Sequence, residues 1–235
     1  QSDLIKYLKK IGYFVYSLDD SCKAIGHKFS DKRVFIKSNE INKLRNFINK
    51  NNSKIISCSS DLGQKLINKI YFKKNNIFNK FKQRKIQKKL NLDTPLFFNK
   101  KNFSLKNFQR CNSKVICKPI MGSGSKDITY LTSFKKLRNE NFIYEEYIDG
   151  IEYNAEGFLY NKEIFLYSLM KKRKVRNSKF VSYILKNNSL SNKIVNKVKS
   201  IILKFVLESG YSNGPFHIEI IKQFKTNKIF IVEGH

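Results

Sequence analysis

From Phe142 to Lys174 the chain reads FIYEEYIDGIEYNAEGFLYNKEIFLYSLMKKRK, and no other segment restricts the fold as much. Three strand-like stretches are separated only by the turns at Asp149-Gly150 and Asn161-Lys162. Turns this short leave no room for a crossover helix, so the strands are expected to run antiparallel. SNKIVNKVKSIILKFVLESG (191–210) then reads as a long helix. Its residues Ile194, Val195, Val198, Ile201, Ile202, Phe205 and Val206 recur at helical spacing, and Gly210 stops it. FHIEIIKQFKTNKIFIVEGH (216–235) reads as a closing antiparallel hairpin.

The N-terminal part has a different texture. A short amphipathic helix, Leu4 to Lys10, ends at Gly12 and is followed by a strand over Tyr13 to Asp19. Another strand is expected at Val34-Phe35-Ile36, a helix over Ile41 to Lys50, a strand over Lys54 to Ser60 and a helix over Asp61 to Tyr71. This alternation predicts a parallel α/β sheet that lacks its first strand. Asp19 closes its strand where such sheets place ligand contacts, but no glycine-rich first turn accompanies it. A lysine-rich amphipathic helix follows over Asn79 to Leu90, and Pro95 prevents its continuation.

At 41% hydrophobic residues, the 235-residue chain can bury a core in two or three lobes. It has no run of about 18 uncharged apolar residues and no signal-peptide pattern, so no membrane association and a cytoplasmic location are expected. It opens on Gln1 and closes on His235 directly after a strand-like run, and both ends are expected to be cut. The formal charge of +29 invites a nucleic-acid reading. However, seven of the 47 basic residues are arginine and the lysines are scattered. A surface built for phosphate and guanine contacts would favour arginine. We therefore read the charge as compositional bias that accompanies abundant Asn, Ile, Phe and Tyr. Cys22, Cys58, Cys111 and Cys117 form no CxxC pair and have no histidine at metal spacing, which fits reduced thiols. Cys117, inside an apolar strand, is expected to be buried.

Three places can carry chemistry. In KVICKPIMGSGSKDI (114–128), an apolar strand delivers Lys118 and then Gly122-Ser123-Gly124-Ser125. Such a loop can aim backbone amides and hydroxyls at phosphate oxygens, although it is neither a Walker A loop nor a GxGxxG fingerprint. By itself it is equally a hairpin tip. Second, five of the 18 acids fall between 145 and 156: Glu145, Glu146, Asp149, Glu152 and Glu156. Glu145 and Glu146 face opposite sides of a strand, so at least one points inward or into a cleft. For Asp149 and Glu156, compensation of nearby lysines is the simpler reading. Third, Glu219 and Glu233 interrupt apolar runs on the two arms of the final hairpin, a placement that needs a cation or hydrogen bonds to offset it. Two such carboxylates suit Mg²⁺ held against substrate phosphates. His217 shares a face with Glu219, either lining that site or serving structurally. His27, after a turn glycine, is expected to be exposed.

The order of these pieces resembles the ATP-grasp carboxylate–amine ligases, most nearly the group related to carbamoyl-phosphate synthetase ATP-binding domains. NKFKQRKIQKKLNLDTP resembles the family's DK…R…L…GI..P helix, with Lys80 fifteen residues before Pro95. VICKPIMGSGSKDI resembles its strand and glycine-rich loop, YEEYIDGIEYNAEGF its hinge, and GPFHIEIIKQFKTNKIFIVEGH its metal-binding hairpin.

The resemblance implies a Rossmann-like pre-ATP-grasp α/β domain over 1–76, with its first strand missing. A connecting helix over 77–95 would follow. The α+β ATP-grasp fold would then have a small lobe over 96–148 and a larger lobe over 149–235. It further implies ATP with Mg²⁺ or Mn²⁺, and ADP-forming activation of a small carboxylate as an acyl phosphate for attack by an amine. A homodimer is left open. Lys80 and Lys118 would contact phosphates, with Lys118 also near adenine. Gly122 to Ser125 would cover the phosphates as a flap. Glu145, Glu146, Tyr147 and Ile148 would form the hinge that reads the adenine edge, chiefly through backbone groups. Glu152 would bind ribose hydroxyls, and Glu219 and Glu233 would hold the metal.

Two departures stand out. Lys126-Asp127 follows the serine where the family has a basic residue and glycine, and His235 stands where it has an asparagine at the metal. The family arginine two residues further falls outside the sequence, so slow turnover is expected of these residues alone. The rival readings are use of bicarbonate as the carboxylate, a nucleotide-binding module without catalysis, and a basic nucleic-acid binder in which Glu219 and Glu233 have no role.

Overall fold

The structure is a computed structural model that describes residues 2–19, 21–37, 40–54, 70, 79–122, 127–134, 139–174, 180–184, 190–211 and 213–234. The chain divides into two compact units, Gln1–Lys73 and Lys74–His235.

In the first unit, helix α1 (Ser2–Lys10) precedes β1 (Tyr16–Leu18), a single 3-10 turn (Ile25–Lys28), β2 (Lys32–Val34) and α2 (Ile41–Lys50). β1 and β2 pair in parallel, Tyr16 opposite Lys32 and Leu18 opposite Val34, as the alternation of elements predicts. β1 is shorter than expected, and β2, of the expected length, ends at Val34 rather than beginning there. Ile36 and Leu44 are buried here, with Val34, Ile41, Phe47, Ile48 and Ile70 packed against them. The expected strand Lys54–Ser60 and helix Asp61–Tyr71 lie outside the described residues, apart from Lys54 and Ile70. His27 is buried rather than exposed. The 3-10 turn that carries it folds onto β1, where Nδ1 meets the Ser17 hydroxyl at 2.6 Å and the ring lies edge-on to Phe35.

The second unit opens with α3 (Lys80–Lys89), whose first turn is capped by the Asn79 side chain accepting from the Lys82 amide. Next come β3 (Phe97–Asn99), α4 (Leu105–Arg110), β4 (Val115–Pro119), β5 (Thr129–Leu131) and β6 (Phe142–Glu146). β7 (Gly150–Tyr160), β8 (Glu163–Lys174), β9 (Phe180–Ile184), α5 (Asn192–Glu208), β10 (Gly214–Gln223) and β11 (Ile229–Gly234) complete it. Two antiparallel sheets result, ordered β3-β6-β4-β5 and β11-β10-β7-β8-β9. The smaller sheet has its own core, with Phe103 stacked on Tyr144 at 4.5 Å beside Phe108, Cys111, Val115 and Cys117.

The larger sheet buries one face under α5. Ile202, Phe205 and Val206 meet Ala155, Leu159, Phe216, Ile218, Ile220 and Ile231. Gly210 (φ +85°) ends α5 as expected, and the Tyr211 amide reaches back to the Val206 carbonyl at 3.0 Å. Asn161 and Lys162, both with positive φ, close β7 onto β8 as a two-residue hairpin. The break at Asp149-Gly150 does something else. It does not fold β7 back beside β6 but carries the chain from the smaller sheet into the larger one. Alternation along β10 sets Phe216, Ile218 and Ile220 into the core, which leaves His217 and Glu219 on the opposite face. Among the described residues no helix is long and apolar enough to cross a membrane.

The register between β7 and β8 shifts at Glu156/Gly157, with Tyr167 as the extra residue on β8, and a Cβ on Gly157 would stand 2.2 Å from the Phe165 carbonyl oxygen and 2.5 Å from the Phe216 ring. Backbone cannot move aside cheaply. Gly157→Ala is therefore expected to lower the unfolding free energy by about 1–3 kcal/mol in urea titrations.

Candidate functional site

Helix α3 builds the site through a polar stripe at helical spacing. Lys80, Gln83 and Arg84 face the same way, and all are buried. At the first position, the Lys80 amide donates to the Ile120 carbonyl at 3.0 Å. Its ammonium donates to the Gly122 carbonyl at 2.6 Å and pairs with Glu233 at 2.6 Å. One turn on, Gln83 Nε2 donates to the Gly234 carbonyl at 3.3 Å. Arg84 donates to the carbonyls of Ile231 at 2.9 Å and Val232 at 2.7 Å. The start of α3 is thus bound to the end of β11.

Arg84 also reaches the smaller sheet. Its Nη2 donates to Glu145 Oε2 at 3.1 Å, and its Nε lies 2.8 Å from Oε1 as an ion pair. Lys118, on the neighbouring strand β4, reaches the same Oε2 at 2.8 Å. All three charges are buried. Burial works to raise the Glu145 carboxyl, but Arg84 and then Lys118 outweigh it and hold the group below its usual value. Lys118 moves down as well, because burial exceeds the attraction of Glu145 and Arg84 repels its charge.

On the open face of the larger sheet, Glu219 and Glu233 are direct register partners across β10 and β11, and Asn154 opposes Glu219 on β7. Lys172 of β8 pairs with Glu219 at 2.6 Å and stands 3.9 Å from Glu152. His217 is 3.2 Å from Glu156 through Nδ1 and 3.9 Å from Glu219 through Nε2. Burial alone would raise the Glu219 carboxyl, but His217 and Lys172 bring it down to about 2. Glu152 shifts the other way, raised chiefly by burial and further by Glu219 against the pull of Lys172. The His217 ring is raised, mainly by its bond to Glu219.

The structure therefore gathers Lys80, Gly122, Lys118, Glu145, Glu152, Glu219 and Glu233 into one unit. Glu146 stands apart, since its carboxylate accepts from the Leu96 amide at 3.2 Å. The Tyr147 amide bonds to the Lys114 carbonyl and its ring packs edge-on against Tyr130, while Ile148 is buried. Ser123, Gly124, Ser125 and His235 lie outside the described residues. Sequence reasoning missed Arg84 as the partner of Glu145, and it missed Lys172. For Arg84 the signal was the i, i+3, i+4 spacing of Lys80, Gln83 and Arg84 on a helix with only two apolar residues, Phe81 and Ile86. For Lys172 it was a cation at the end of an otherwise half-apolar strand.

Among the described residues no group of three or more His, Cys, Asp or Glu side chains could by itself enclose a metal. Glu219 and Glu233 fit a hard divalent cation shared with substrate phosphates, because both offer carboxylate oxygens from adjoining positions.

Residues 128–234 match the family model of the ATP-grasp domain. The chain superposes on the L-amino acid ligase of Bacillus licheniformis with a TM-score of 0.72 at 16% identity, covering 98% of this chain and 63% of that one. With phosphoribosylglycinamide synthetase of Anaerococcus prevotii the TM-score is 0.75 at 18% identity, over 100% and 64%. The biotin carboxylase domain of Hydrogenobacter thermophilus 2-oxoglutarate carboxylase, solved with MgADP, ADP and bicarbonate, gives 0.74 at 14%, over 99% and 60%. A comparison with curated proteins finds no match. The similarity to the ATP-grasp domain extends over residues 128–234, and the fold of the chain is the one these solved structures share. The chain spans a little under two thirds of their length.

Glu145→Gln would leave Arg84 and Lys118 buried beside a neutral group, a loss of about 3–5 kcal/mol at pH 7. Because the folded Glu145 titrates below its ordinary 4.5, its stabilisation is present above that value and fades as the pH falls through it. Urea unfolding of both proteins should show their gap narrowing below pH 4.5, and a constant gap would contradict an ionised Glu145.

Proposed function

We propose that the chain is the nucleotide-binding part of an ADP-forming ligase that activates a small carboxylate for attack by an amine. The observation that carries this reading is the convergence of Lys80, Lys172, Glu219 and Glu233 on one open sheet face, with Glu152 beside them. Lys80 and Lys118 bind phosphate oxygens of ATP, Glu152 takes the ribose hydroxyls, and Gly122 opens the loop that covers the phosphates. Glu219 and Glu233 hold Mg²⁺ or Mn²⁺, which supplies charge neutralisation on the phosphates. The γ-phosphoryl passes to the carboxylate substrate, ADP leaves, and the amine displaces phosphate from the acyl phosphate. No protein nucleophile is needed, so positioning and electrostatics are the protein's contribution.

Residues 1–76 form the pre-ATP-grasp domain, 77–95 the connecting helix, 96–148 the small lobe and 149–235 the large lobe. The change of sheet after Glu146 supports a lobe boundary there. A cytoplasmic location is supported by the free thiols of Cys22 and Cys111.

The full-length protein should release phosphate from ATP when offered the right member of pools of amino acids, other carboxylates or bicarbonate. Glu233→Gln should slow that release by roughly a hundredfold or more. Undiminished release by the variant would reject the cation assignment, and silence with every pool would reject ligation.

A further inference from the structure

Glu219 and Glu233 are already compensated by cations of the chain itself. Lys172 Nζ lies 2.6 Å from Glu219 and 3.9 Å from Glu152, and Lys80 Nζ lies 2.6 Å from Glu233. Three carboxylates share two ammonium groups, and both lysine side chains are largely withdrawn from water, at 11% and 6% exposure. A divalent cation entering between Glu219 and Glu233 alone would have to displace both ammonium groups. They would be left half-buried, without an anion and next to a double positive charge.

The position of Lys172 offers a way out. It stands between Glu152 and Glu219, which in the reading above mark the ribose end and the cation end of the nucleotide. The phosphate chain must run between those ends and so past the Lys172 ammonium. We propose that Lys172 and Lys80 are exchangeable counter-ions that release Glu219 and Glu233 to the divalent cation only as the phosphates of the nucleotide take over their ammonium groups. Lys172 is then a phosphate contact in the loaded site and a metal substitute in the empty one. Cation and nucleotide enter as one neutralising set, and the site rejects the free metal. This rests on the assignment of Glu152, Glu219 and Glu233 under Proposed function.

The probes are Mn²⁺ alone, followed by electron paramagnetic resonance, and the β,γ-methylene analogue of ATP in saturating Mn²⁺, followed by calorimetry. Removing the Lys172 ammonium has opposite effects on the two. Lys172→Met should bind Mn²⁺ alone about tenfold more tightly and the analogue about tenfold more weakly, each the equivalent of one charge-assisted hydrogen bond. Lys172→Gln carries the same expectation should the methionine variant fold poorly. Affinities that move in the same direction, or Mn²⁺ binding that does not change, overturn the exchange and leave the nucleotide site standing. Glu233→Gln that binds Mn²⁺ with the analogue as wild type does overturns the cation-site assignment and the exchange with it.

Discussion

The carboxylate of Glu145 holds the second unit together. From β6 it binds Arg84 on α3 and Lys118 on β4, and Arg84 goes on to the carbonyls of Ile231 and Val232 on β11. One helix, the smaller sheet and an edge of the larger sheet therefore meet at a buried charge cluster. Such a cluster adds little net stability, because its desolvation is costly, yet removing one member is severe. Its consequence is geometric. With Arg84 anchored to Val232, Lys80 one turn earlier on the same helix face arrives at Glu233.

Everything reactive is arranged around that anchor. The sheet face opposite α5 cannot be apolar, because it carries Glu152, Glu156, Glu219, Glu233 and Lys172 in neighbouring positions. Three of the four acids meet a base, Glu233 with Lys80, Glu219 with Lys172 and Glu156 with His217, and Glu152 shares Lys172 at 3.9 Å. Such pairing offsets most of the cost of holding these charges on one sheet face.

Much of the scaffold was legible, for reasons specific to each element. Helix α5 follows from seven apolar residues at helical spacing with a glycine stop, and the β7–β8 hairpin from two residues, Asn161 and Lys162, that tolerate positive φ. The polar interruptions Glu219 and Glu233 required compensation, because carboxylates in apolar strands do, and Lys172 and Lys80 supply it. Other readings failed where local sequence has no say. His27 follows a glycine and carries no mark of burial, but the fold of its 3-10 turn brings it to Ser17. The Asp149-Gly150 break has the composition of a hairpin turn, yet β6 and β7 find partners in different sheets.

By itself the sequence determined the period of each strand and helix, the turns that join β7 to β8 and end α5, and which acids stand among apolar neighbours. These are properties of a few consecutive residues and need no distant contact. Only the tertiary structure decided that Glu145 would satisfy Arg84 and Lys118 rather than face solvent, and that Lys172 would lie between Glu152 and Glu219. Those pairings join residues 20 to 61 positions apart and depend on sheet register and on where α3 docks. A long, flexible lysine or arginine reaches any acid the fold brings near it, so its partner is set by packing and not by its neighbours in the chain.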